Sequence, residues 1–104
     1  MKFSHTIEKD CLIISLLEPI DDLSFINDLY TSECKHLILD VLKLNDLNSN
    51  HYTKFIKFGK KLVGAQSFVL ISDQSSLQEV NIVPTLVEAF DIIEMEDIER
   101  QLNY

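Results

Sequence analysis

The chain has 104 residues, enough for one domain and too few for two. Its 46% hydrophobic and 25% charged residues mark it as folded rather than disordered. Nine basic residues against 17 acidic ones leave a net charge of −8, which argues against a general nucleic-acid binder, and two glycines exclude a Gly-rich phosphate cradle.

Taken in chain order, Met1, Phe3, His5 and Ile7 alternate with Lys2, Ser4, Thr6 and Glu8, the pattern of a half-buried strand. Lys9-Asp10 is a short polar turn. Cys11–Leu17 is a β-rich run expected to form a hairpin with the first strand and to stop before Pro19. Asp21 or Asp22 can cap a short helix with Leu23, Ile26, Leu29 and Tyr30 on one face. His36–Val41 is a continuous apolar run with one acid, which reads as a strand buried on both faces of a parallel sheet. Asp40, at its end, is expected to bond backbone N–H groups of the following turn.

Residues 45–50 are rich in turn and N-cap types. A helix is predicted from about His51 to Val63, burying Tyr52, Phe55, Ile56, Gly59, Leu62 and Val63 and stopped by Gly64. Ser67–Ile71 is a further buried strand. Residues 73–78 read as a polar loop, and Val80–Val83 as a short extended piece. Thr85 and Glu88 have capping-box spacing at the start of a last helix. Its Leu86, Ala89, Phe90 and Ile93 form one apolar face, while Met95, Ile98 and Leu102 fall on the other side. Because Glu94, Glu96, Asp97 and Glu99 would repel their own copies in a close parallel pairing, the expectation is a bend near Glu94 that folds the second stripe back onto the domain and leaves a monomer; a straight helix would instead offer it to a second copy, as a dimer through this helix, or to another protein. The expected fold class is therefore α/β, with a mixed sheet and a parallel strand–helix–strand crossover from His36 to Ile71.

Charge is unevenly placed. Residues 47–72 hold no acid and four lysines (Lys54, Lys57, Lys60 and Lys61), whereas residues 85–104 hold six acids against Arg100. Such blocks can attract each other or different partners, or be two solvated helix faces. Cys11 and Cys34 lack any paired-thiol spacing and read as reduced core residues. His5, His36 and His51 lack ligand spacing, so no metal and no cofactor are expected. The apolar runs are too short for a membrane span and Met1–His5 has no signal-peptide core, which fits a cytoplasmic location.

The element order, together with the segment from His36 to Tyr52, resembles the STAS domain of bacterial anti-sigma-factor antagonists and sulfate transporters. In that family a buried strand ending in Asp leads through a turn to Asp-Ser-Ser-Gly, which opens an amphipathic helix. Here the strand end is Ile38-Leu39-Asp40 and the helix start is Asn48-Ser49-Asn50-His51. The stretches Val83–Asp91 and Glu96–Arg100 are similar to the last helix of short STAS proteins. The resemblance implies one STAS-like domain over 1–104, with 85–104 as an acidic C-terminal helix and a shortened connection between the last two strands. It also implies a non-catalytic regulatory module whose partner is an anti-sigma factor or serine kinase. Docking would use loop 46–50 and the start of the next helix, through Asn48, Ser49, Asn50, His51, Lys54 and Lys57. Ser49 holds the position of the phosphorylated serine, whereas Asn48, Asn50 and His51 depart from the motif. Two alternatives stay open: a structural or oligomerisation domain without the phospho-switch, and a nucleotide or small-ligand domain using the same helix end.

Overall fold

The two continuous apolar runs of the sequence lie side by side at the centre of the sheet. In the computed structural model, which describes residues 2–20, 22–45, 47–73 and 82–102, β3 (His36–Asp40) pairs in parallel with β4 (Phe68–Ile71). Outside them lie β2 (Cys11–Leu16), parallel to β3, and β5 (Ile82–Val83), parallel to β4. Strand β1 (Phe3–Glu8) closes one edge antiparallel to β2, giving the order β1-β2-β3-β4-β5. Helices α1 (Phe25–Leu29), α2 (Ser49–Val63) and α3 (Leu86–Leu102) complete the mixed α/β fold expected from the sequence.

Period-2 alternation divides the strand residues between two cores. Leu12, Ile14, Leu37, Leu39, Phe68 and Leu70 face α1 and α2, joined by Ile26, Tyr52, Phe55 and Val63. Ile13, Ile38, Val69 and Ile71 face the other way and meet Ala89 and Ile93 of α3. Each fully buried Leu or Ile contributes about 1.5–3 kcal/mol of transfer free energy. Helix α2 presses close to β4 because residue 59 has no side chain: a Cβ there would lie 2.3 Å from two ring carbons of Phe68.

Three expectations are corrected. Strand β1 is not half-buried: Phe3 alone is partly covered, by Phe25 at a ring-centroid distance of 4.3 Å, and Ile7 remains 40% exposed. The five-residue α1 is too short to cover the rest of this edge. The N-cap of α1 is Ser24 rather than Asp22, whose Oδ1 accepts from the Ser24 N–H at 2.9 Å in a local turn; Asp21 lies outside the described residues. Helix α3 does not break at Glu94 but runs unbroken to Leu102. Beyond Ile93 its inner face continues in polar residues that find partners on the sheet, so the helix keeps its course. Met95, Ile98 and Leu102 consequently stay 62%, 50% and 78% exposed.

The expected loop at 73–78 and the start of the Val80–Val83 piece lie largely outside the described residues, as does the shortened connection. No helix among the described residues is long and apolar enough to cross a membrane.

Candidate functional site

The chain leaves β3 at Asp40 and enters α2 at Ser49, so the start of α2 lies beyond the carboxyl end of a parallel strand. That is where open α/β sheets commonly place binding surfaces. Asp40 Oδ1 accepts from the Leu42 N–H at 2.9 Å and starts the turn, as expected. Leu44 and Leu47 pack against the core and hold the loop down; Asp46 lies outside the described residues.

The helix start is built by two residues that depart from the STAS motif. Asn48 is the N-cap, and its Oδ1 accepts from the His51 N–H at 3.1 Å. His51 returns the bond, its Nδ1 accepting from the Asn48 N–H at 3.1 Å. This reciprocal capping box satisfies two donors that the helix geometry leaves open, a task usually given to Ser or Thr with Glu or Gln. Because Nδ1 accepts, the hydrogen-bond pattern assigns the proton of neutral His51 to Nε2.

Ser49 is the first helical residue and is exposed. The capping box does not use its hydroxyl; its carbonyl accepts from Thr53 Oγ1 at 2.9 Å. Asn50 is exposed beside it, and Lys54 and Lys57 are exposed on the next turns. Below this rim Tyr52 turns inward, its hydroxyl 2.9 Å from Ser72 Oγ, fixing α2 to the end of β4. The structure thus gathers Asn48, Ser49, Asn50, His51, Lys54 and Lys57 on α2 and its cap. An anion at this helix end meets a favourable dipole and the lysine charges.

A second polar cluster sits at the opposite end of the parallel strands. His36 is 1% exposed. Its Nδ1 accepts from the Ser67 backbone N–H at 3.1 Å, so Nε2 carries the hydrogen and points to Asp97 Oδ2 at 3.2 Å. Arg100 Nη2 binds Asp97 Oδ1 at 2.7 Å and Ser67 Oγ at 2.8 Å, and Ser67 Oγ is 2.6 Å from Glu96 Oε1. Burial pushes the Asp97 carboxyl upward, but the hydrogen bond from Arg100 and the neighbouring His36 and Arg100 outweigh it, and the group is held below its usual range. Ser, His and Asp meet here without the hydroxyl–imidazole bond of a nucleophilic triad, because the imidazole binds the serine's backbone and the hydroxyl goes to a carboxylate. Sequence reasoning missed this cluster; the only local signal was the Asp97–Arg100 spacing.

Among the described residues no group of three or more His, Cys, Asp or Glu side chains is arranged to hold a metal ion. Cys11 and Cys34 are free and buried. Burial, with Asp10 next, pushes the Cys11 thiol up to about 11.

Among solved structures, the chain is similar to a Thermotoga maritima protein provisionally described as an anti-sigma factor antagonist. The likeness has a TM-score of 0.65 over 88% of this chain and 94% of the other, at 15% identity. The fold is STAS-like. Identity this low speaks for the fold alone. No family model and no curated protein matches the sequence.

Proposed function

We propose that the chain is a non-catalytic regulatory module that binds a protein partner through loop 46–50 and the first turns of α2, and is switched by phosphorylation of Ser49. The observation that carries this reading is the division of labour at the helix start. Asn48 and His51 cap the helix between them, so the exposed Ser49 hydroxyl can be modified without uncapping it. A phosphate there adds roughly −1.5 to −2 charge where the helix dipole tolerates it, and a partner seated on the helix end meets an unmatched charge. Lys54 and Lys57 suit a partner with an acidic contact surface, such as an anti-sigma factor or serine kinase would have to present. The STAS-like fold supports a regulatory rather than catalytic role.

The other reading, a structural or oligomerisation domain without the switch, is favoured by one specific feature: His51 brings a bulky ring where the STAS motif has glycine. Intact-mass spectrometry of protein from its native cell separates the two. A species about 80 Da heavier, mapped to Ser49, supports the switch. Its absence, together with a partner that binds Ser49→Asp as well as the native chain, removes it.

A further inference from the structure

Two further surfaces complement each other and cannot meet within one molecule. On the outer side of α3, Val87, Met95, Ile98 and Leu102 form an exposed apolar stripe, with Val87 71% exposed. It is flanked by the exposed acids Glu94 on one side and Glu88 and Glu99 on the other, and Asp91 interrupts it between Val87 and Met95, since Glu96 and Asp97 turn inward to Ser67 and His36. On the opposite layer a hollow of about 370 Å³ opens between α1 and α2, lined by Asn27, Phe58, Lys61 and Leu62. Phe58 and Leu62 are one turn apart, with Lys54, Lys57 and Lys61 at helical spacing alongside. Because α1 and α2 cover one face of the sheet and α3 the other, the stripe of one molecule cannot reach its own hollow.

We propose that the α3 stripe docks into the α1–α2 hollow of a second copy of this chain. Each half supplies what the other lacks: apolar side chains meet an apolar floor, and a row of acids meets a row of lysines. Two α3 helices set face to face would instead oppose like charges. The contact is heterologous, because donor and acceptor surfaces are different patches on opposite faces, so it propagates head to tail, into a ring if the rotation closes or an open chain if it does not, instead of pairing as a two-fold dimer. One helix seated on a helix pair is a small interface, and the association belongs to the weak class, with Kd on the order of 100 μM. The inference does not rest on the reading of Ser49.

Sedimentation of the full chain over a concentration series tests it. The expected weight-average mass rises steadily without levelling at two copies. Lys61→Glu removes the hollow's charge and Ile98→Asp spoils the stripe; both sites are exposed, and unchanged circular dichroism confirms that each variant folds. Each variant alone stays monomeric. An equimolar mixture regains association and stops at two copies, because one variant keeps a working stripe and the other a working hollow. Ser49→Asp associates as the native chain does, whatever becomes of the phospho-switch. A chain monomeric well above 100 μM, or a closed dimer that Ile98→Asp breaks and the mixture fails to restore, overturns the proposal.

Discussion

His36 and Asp97 stand 61 residues apart in sequence and 3.2 Å apart in space, and their bond ties α3 to the first residue of the buried strand β3. A fully buried imidazole thereby has both ring nitrogens satisfied, one by the Ser67 backbone and one by a carboxylate that Arg100 also holds.

Partial burial pushes the Asp97 carboxyl upward, but the Arg100 hydrogen bond and the nearby His36 outweigh it and hold the group below the ordinary carboxylate range. A depressed folded-state pKa gives stability that is present above the unfolded value and lost as pH falls through the folded one. Asp97→Asn is therefore expected to be less stable than the native chain at neutral pH. The gap should be no more than about 1 kcal/mol, since the carboxylate is partly exposed and screened. Denaturant titrations should show the gap closing as pH falls below about 4. A constant gap from neutral pH down to about 2 would mean that the ionised carboxylate is not what stabilises.

Gly59→Ala should destabilise the chain although alanine is the better helix former by about 1 kcal/mol. The added methyl would sit 2.3 Å from the Phe68 ring, and overpacking of this kind costs about 1–3 kcal/mol. Combining it with Phe68→Leu should return part of the loss. Melting curves of the two single variants and the double variant give the coupling.

The hairpin turn between β1 and β2 holds two non-glycine residues at positive φ, Lys9 at 54° and Asp10 at 65°. Type I′ turns prefer glycine at the second of these positions. Asp10→Gly should raise stability by up to about 1 kcal/mol, visible as a few degrees in Tm. The bonds from the Lys35 and His36 N–H groups to the Asp10 carbonyl are backbone bonds and survive the change.

At the start of α2, capping and switching should separate. Asn48→Ala should cost about 1 kcal/mol of stability, because it removes the cap. Ser49→Asp should leave Tm within a few degrees while weakening partner binding at least about tenfold, or 1.4 kcal/mol. Calorimetry of both variants, followed by titration with a partner captured from the native cell, checks the pair. An equal loss of stability in both would make Ser49 part of the cap.

The order of elements was legible because Ile38–Leu39 and Val69–Leu70 lie in uninterrupted apolar runs, and because Phe55, Gly59 and Val63 recur at helical spacing. What failed was reading which faces find cover. Alternation in β1 matched a half-buried strand, but a five-residue α1 covers Phe3 and no more. Apolar periodicity placed Met95 and Ile98 against the domain through a bend, whereas the true inner face runs on through Asp97 and Arg100, polar residues whose partners lie far away in sequence. The helix start at Asn48–His51 was located to within a few residues. The reciprocal bond from His51 was not foreseen, since histidine is an uncommon closing member of a capping box.

Strand order equal to chain order has a consequence for synthesis. A nascent chain emerging from the ribosome can add each strand to the growing sheet edge as it appears, with no earlier pair to prise open, and with α1 and α2 sealing one side on the way. The other side must wait for the last segment: until α3 emerges, Ile13, Ile38 and Val69 face water together. The chain thus carries a sticky half-finished face from the completion of β4 until α3 docks, a state that invites chaperones or aggregation, and a premature stop before Leu86 would make that state permanent.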